Sequence, residues 1–573
     1  MTDQPIAIYQ VLPRLYGNTK ENCVPDGSIE QNGCGKFNDF TLARLRAIKK
    51  SGYTHIWYTG VIEHATQTDY SAYGIKSDHP QVVKGKAGSP YAIKDYYDVD
   101  PDLASSVPDR MGEFEALVAR THQAGLRVII DFVPNHVARE YFSDSKPAGV
   151  RDLGADDDTH KAFDPNNNFY YIPDRPLTTD LLPTVYDHSG ATYQEFPAKA
   201  SGNDIFSERP SAYDWYETAK LNYGVDHVGD GATHFSPIPD TWDKMLDILL
   251  YWAGKGIDGF RCDMAEMVPV DFWHYAIAKV KETYPKLFFI AEIYNPGNYR
   301  NYIGHGGFDY LYDKVGLYDT LRAIICGYAP ASAITQCWQN LDDIRTQMLH
   351  FLENHDEQRI ASLQFADNAD KAIPAFCVCA FFDAAPVMVY AGQEFGEKGN
   401  DAEGFSGSDG RTTLFDYWTV PTLRRNLLGK LSEKELRLQA FYQKTLCLKG
   451  MSEALRIGKM FDLMYVNYNG SNGFDPNRHY AFLRGTEDEC ILIVANFSEE
   501  PADVEVLVPS HAFEVFGMTG TWSEGTDLMT DTPIAATIGP DQRVKLLIEG
   551  YNCRVVQFRK SKPSKKSRTK IAK

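Results

Sequence analysis

The sequence lacks any stretch of about 18 consecutive apolar residues, the length a membrane-spanning helix needs, so no membrane span is expected. Its N-terminus, MTDQPIAIYQVLPRLYG, has no basic region followed by an apolar run, so no secretory leader is expected. Cysteine is sparse, with 10 in 573 residues. No CxxC spacing occurs, and only Cys377 and Cys379 lie close together, inside the apolar run AIPAFCVCAFF. These absences point to reduced thiols in a cytoplasmic protein. Positive charge is short as well. With 58 Lys and Arg against 77 Asp and Glu, the net charge is −19. That argues against nucleic acid or an anionic membrane as the main partner, and a neutral ligand is compatible with it. The C-terminal RKSKPSKKSRTKIAK is basic and low in complexity, and residues 561–573 read as a disordered tail.

One pattern recurs along the chain. A short β-rich run precedes a stretch of helical spacing, then another run follows. The runs are AIYQVLPRLYG (Ala7–Gly17), THIWYTGV (Thr54–Val61), LRVIIDFVPNH (Leu126–His136), GIDGFRCD (Gly256–Asp263), LFFIAEIYNP (Leu287–Pro296), FDYLYD (Phe308–Asp313), QMLHFLENHD (Gln347–Asp356) and PVMVYAGQEFG (Pro386–Gly396). Between them, Leu42, Leu45 and Ile48 recur on one face, as do Met111, Phe114, Leu117 and Val118. Near-continuous apolar strands alternating with amphipathic helices imply a parallel sheet covered by helices. Eight such units predict an α/β fold built on a (β/α)8 TIM barrel over 1–137 and 241–454. The gap between the third and fourth runs is too long for one helix. Residues 138–240, rich in Asp, Asn, Tyr and Pro, read as an inserted, loop-rich subdomain. From 455 to 560 the period changes to two, which predicts a C-terminal antiparallel β-sandwich.

Active sites of such barrels lie at the C-terminal strand ends. The third run ends with Asp131, Asn135 and His136, the fourth with Arg261 and Asp263, the fifth with Glu292, and the seventh with His355 and Asp356. Four carboxylates and two histidines should therefore converge on one mouth. No Ser–His–Asp order or glycine-rich phosphate loop competes with them. Alternate strand residues share a face, so Arg261 and Asp263 should point together toward the barrel axis. A neighbouring cation favours an ionised Asp263, whereas Glu292 among other carboxylates should be harder to ionise. Two carboxylates in opposite protonation states are what glycoside cleavage requires.

The motifs DFVPNH, GFRCD, AEIYNP and ENHD, in this order, resemble those of the α-amylase family, glycoside hydrolase family 13. The resemblance runs from about Ile6 to Arg559 and includes the insertion and the C-terminal β-domain. It implies that Asp263 is the nucleophile, Glu292 the acid and base, and Asp356 the third carboxylate holding sugar hydroxyls. It implies that Arg261 orients Asp263, that His136 and His355 donate to the sugar, that Asp131 orders the network, and that Tyr91 stacks under the sugar. The expected partner is an α-glucan such as starch or maltodextrin. No cofactor is expected for the chemistry, and a structural calcium is conceivable with Asn135 and the carbonyl near Met267 among its ligands. Glu266, Met267 and Ser89 depart from the pattern of many amylases. Trp57, Trp242, Trp252 and Trp273 read as packing residues. Two other functions stay open from the residues: a transglycosylase or isomerase using the same glycosyl intermediate, and a non-catalytic relative acting as a binding subunit. Oligomeric state is not readable.

Overall fold

The computed structural model describes residues 5–187, 189–401, 407–470 and 472–560. The basic tail over 561–573 lies outside the described residues.

All eight expected runs form strands of one parallel sheet: β1 (Ala7–Val11), β2 (His55–Tyr58), β3 (Arg127–Phe132), β4 (Gly259–Cys262), β5 (Phe288–Ala291), β6 (Tyr310–Tyr312), β7 (Met348–Leu349) and β8 (Val387–Tyr390). The sheet closes where β8 pairs with β1, and where Met388 N donates to His350 O at 2.9 Å beside β7. Helices including α1 (Leu42–Lys50), α2 (Arg110–Gln123), α3 (Asp240–Gly254) and α4 (Val270–Thr283) turn their apolar stripes onto its outside.

The barrel interior is layered. Ile8, Trp57, Ile129, Phe288, Ile290, Tyr312, Leu349 and Met388 form one buried apolar cluster contributed by seven strands. Strand β4 gives no side chain to it. A Cβ on Gly259 would stand 2.8 Å from the Phe288 ring, so glycine here admits the aromatic from the next strand. The alternation then carries Arg261 and Asp263 inward above that floor, while Phe260 and Cys262 join the outer core against the helices. Period two alone thus aims an arginine and a carboxylate at the axis.

The insertion leaves β3 through a short strand, His136–Ala138, which pairs antiparallel with Thr218–Lys220. Most of it is loop. Fully buried Arg139 cross-links it, donating to Tyr216 O at 2.5 Å, Glu195 Oε1 at 2.9 Å and Ser201 Oγ at 2.7 Å.

Beyond β8 and helix α5 (Glu433–Met451), the chain forms a six-stranded antiparallel sheet between Lys459 and Arg559, with Ala502–Val508 and Gln542–Ile548 as a separate antiparallel pair. It packs on the barrel through the wholly buried helix Ile373–Phe381, whose last carbonyl accepts from Arg484 Nη1 at 2.9 Å. At this joint Cys377 and Cys553 form a disulfide, and eight cysteines are free among the described residues. The expectation of uniformly reduced thiols fails for these two. Their partners are 176 residues apart, and only the docking of the β-domain on that helix brings them together. Among the described residues, no helix is long and apolar enough to cross a membrane.

Candidate active site

Above the apolar floor, the strand ends converge on Arg261, which is fully buried. Its Nη1 donates to Asp263 Oδ1 at 2.8 Å and lies 3.4 Å from Asp131 Oδ1. Its Nη2 lies 2.6 Å from Glu292 Oε2, and its Nε donates to the Tyr312 hydroxyl at 3.2 Å. The rings of Trp57, Tyr91 and Tyr312 surround the guanidinium at 5.4–5.5 Å, a cation–π environment on three sides.

This geometry corrects one expectation. Arg261 does not serve Asp263 alone, because its second nitrogen is given to Glu292. In the free cleft, burial pushes the Asp263 carboxyl well above the usual range; Arg261 opposes this, while Glu292 and Asp356 add to it. The proximity of a cation therefore does not leave Asp263 an easily ionised group.

Asp356 stands at the mouth. Burial first, then the charge of Glu292, pushes it up to about 7. Its Oδ2 lies 3.1 Å from Nε2 of His355. Burial and the nearby Arg261 charge hold His355 well below its ordinary pKa, so the ring is neutral. Nδ1 faces the Gln10 amide nitrogen at 2.8 Å, which assigns the ring proton to Nε2, the nitrogen facing Asp356 and the Tyr91 hydroxyl. The Tyr91 ring stacks on His355 at 5.3 Å. Asp131 sits beneath, its Oδ2 accepting from Trp57 Nε1 at 3.0 Å and Gly60 N at 3.2 Å; burial raises it to about 6. His136 is pushed down to about 3 by burial and by the charges of Lys220 and Lys84. Its Nδ1 faces Asn135 Nδ2 at 3.0 Å, so Nε2 carries the proton.

Asp263, Glu292, Asp356, Tyr91 and His136 line one cleft of about 760 Å³. Asp131, Arg261 and His355 lie just behind it and hold its wall. Four contributors were not read from the sequence. Tyr294 donates to Glu292 Oε1 at 2.6 Å, and Met264 N donates to Oε2 at 2.8 Å. Tyr294 lies two residues past Glu292 on the same strand exit, so alternation was a usable signal. Met264 has φ 42°, the left-handed conformation that a non-glycine residue rarely adopts. Trp215, from the insertion, lies 5.2 Å from the His136 ring, and Trp57 holds Asp131 besides packing. A loop tryptophan carries no periodic signal. Of the departures, Glu266 is not aimed at the cleft: it accepts from Tyr294 N at 3.0 Å and Asn295 N at 3.2 Å, fixing the exit of β5.

The position considered for calcium holds a cation of the chain's own. Lys220 Nζ donates to Asn135 Oδ1, lies 3.4 Å from the Met267 carbonyl, and pairs with Asp204 Oδ1 at 2.7 Å. The oxygens that would ligate a metal already face a buried ammonium. The residues present do not fit calcium at this point.

Residues 10–417 match the family model described as alpha amylase, catalytic domain. The chain is 24% identical over 472 residues to alpha-amylase MalA of Haloarcula japonica, covering 81% of this chain and 53% of that protein, so it spans about half that relative's length. It is 23% identical over 528 residues to a cyclomaltodextrinase of a Bacillus species, covering 89% of this chain and 76% of that one. Among solved structures, the maltogenic alpha-amylase AmyB of Thermotoga neapolitana superposes with a TM-score of 0.62 at 20% identity, covering 97% of this chain and 99% of that one. That likeness concerns the fold. The family match over most of the barrel and insertion agrees with the four ordered motifs and the convergence of their carboxylates, and the chain belongs to the α-amylase family, glycoside hydrolase family 13.

Proposed function

We propose that the protein is a retaining α-glycosidase acting on α-glucans such as maltodextrins by double displacement. The carrying observation is that Asp263 and Glu292 reach the two terminal nitrogens of one buried guanidinium and line one cleft. Retaining enzymes use two carboxyls about 5–5.5 Å apart on either side of the scissile bond.

In this reading Asp263 attacks the anomeric carbon while Glu292 gives a proton to the leaving oxygen. Glu292 then takes a proton from water, whose oxygen displaces Asp263. Four carboxylates against one guanidinium favour keeping a proton in the cluster at neutral pH. The chemistry needs that proton on Glu292 and away from Asp263. The neutral His136 imidazole offers its Nε2–H to a sugar hydroxyl without adding charge, while the His355 Nε2–H faces Tyr91 and Asp356 and holds the wall of the cleft. Tyr91 and Trp215 offer flat apolar faces for pyranose rings.

The test is a panel of maltose, maltoheptaose, isomaltose, pullulan, trehalose and sucrose, with products separated and the first anomer followed by NMR. Cleavage of α-linked glucans with initial release of the α-anomer is expected. Initial release of the β-anomer would sink double displacement, and turnover by Asp263→Asn equal to the wild type would sink the site.

A further inference from the structure

The turn that follows Asp263 holds Glu292 by two routes. Met264, in the left-handed region with φ 42°, directs its N–H to Glu292 Oε2 at 2.8 Å. Arg261 Nη2 lies 2.6 Å from that same oxygen. Oε1 accepts from the Tyr294 hydroxyl at 2.6 Å, and from no other group among the described residues. The two oxygens of this carboxyl are therefore unlike. Oε2 meets an amide and a guanidinium, groups that give hydrogens and accept none. A proton on Glu292 belongs on Oε1, opposite a phenol, which can donate to a carboxylate and accept from a carboxylic acid. Tyr294 lines the cleft beside Glu292 and Asp263, so the pair stands on the wall where a leaving group would receive that proton.

Glu266 secures Tyr294 in turn. Its Oε1 accepts from Tyr294 N at 3.0 Å and its Oε2 from Asn295 N at 3.2 Å. Both oxygens are thus spent on the exit of β5, and a residue that departs from the pattern of many amylases serves as a brace. Glu266 stands two residues after Met264. One short turn therefore grips the Glu292 carboxyl through Met264 N and the backbone that carries the Tyr294 ring through Glu266. Burial first, then the charges of Glu292 and Asp356, push the Tyr294 phenol well above its ordinary pKa. It keeps its hydrogen and does not itself become a base.

We propose that Tyr294, braced by Glu266, is a positioning residue for the acid and base: it fixes the transferable proton of Glu292 on Oε1 and steadies the carboxylate left when that proton departs. The inference rests on the proposed roles of Asp263 and Glu292, and adds to them the means by which one oxygen of Glu292 is chosen. In the first step the Oε1 hydrogen turns from Tyr294 to the leaving oxygen, as the glycosidic C–O bond breaks and the bond from Asp263 to the anomeric carbon forms. The Tyr294 hydroxyl, released from accepting, turns its own hydrogen to the new carboxylate. In the second step water returns a proton to Oε1 while its oxygen displaces Asp263. The phenol rotates and loses no proton at either stage.

The test compares pH profiles of kcat/KM for the full chain, Tyr294→Phe, Glu266→Ala and the double variant, on maltoheptaose and on α-maltosyl fluoride, whose leaving group needs little help from an acid. The alkaline limb of kcat/KM reports the acid of the free enzyme. A donated hydrogen bond favours the ionised carboxyl, so Tyr294→Phe should move that limb up by about one unit. At the optimum it should lower kcat/KM about tenfold on maltoheptaose and less than about threefold on the fluoride. Glu266→Ala should move the limb the same way by less, and should add no further shift in the Tyr294→Phe background, because it acts through the residue it braces. An unmoved limb in Tyr294→Phe, equal losses on the two substrates, or a Glu266→Ala shift as large without the Tyr294 hydroxyl as with it would each overturn the inference. Glu292→Gln separates this from a failure of the reaction itself: it should abolish the alkaline limb on maltoheptaose, and activity equal to wild type in that variant would sink both.

Discussion

Two regions of this molecule each gather four carboxylates around one arginine, and they are built to opposite ends. At the barrel mouth, Arg261 reaches Asp131, Asp263 and Glu292, with Asp356 beside them. At the root of the insertion, Arg110 reaches only Asp98, leaving Glu63, Asp95 and Asp144 without an ion pair among the described residues. Two carboxylates 4 Å apart repel by about 4 kcal/mol at an effective dielectric near 20, so neither cluster can ionise fully without help. The mouth shares its guanidinium among competitors and favours a mobile proton, which suits acid and base chemistry. The root lies outside the cleft, and its guanidinium is committed through two nitrogens to one carboxylate.

The largest effect that would sharpen this contrast is expected at the mouth. Asp263→Asn and Glu292→Gln should each lower kcat on the order of 10⁴-fold or more, with oligosaccharide binding kept in calorimetry. A variant within tenfold of wild type would break the comparison at its first term. Next comes Arg261→Lys. A point charge serves one carboxylate where the planar fork serves three, and kcat/KM should fall about 10³-fold in steady-state assays. Lys220→Met should cost about 3 kcal/mol in urea unfolding, because buried oxygens lose their cation.

A smaller effect separates the clusters by pH. The folded pKa of Glu63 is raised, so the stability it contributes through its protonated form is complete below its unfolded value of about 4.3 and is lost as pH rises through the folded value. Glu63→Gln should therefore be more stable than wild type by about 1–2 kcal/mol at pH 8 and no more stable at pH 4. The smallest change is expected for Asp356→Asn. Its negative charge raises Asp263, so removing it should move the acid limb of the residual kcat/KM profile to lower pH, by less than about one unit.

The barrel was legible because its strands are short, largely apolar runs, and this held even for β7, only two residues long. Arg261 and Asp263 were placed correctly by alternation. What alternation could not supply was sharing. Nothing in GFRCD says that the guanidinium's second nitrogen belongs to Glu292 on the next strand. Long-range contacts were equally hidden: Trp215 beside His136, Lys220 beneath Asn135, and Glu63 near Asp144 are separated by tens of residues without a period. The Cys377–Cys553 pairing depends on how two domains dock, which no local pattern encodes.

Lys220 gives the joint between barrel and insertion a counter-ion with no dissociation constant. It cannot be chelated, diluted or exchanged, and its stoichiometry is one per chain by synthesis. The junction therefore closes in the same unimolecular event as folding, without waiting for an encounter with a solute.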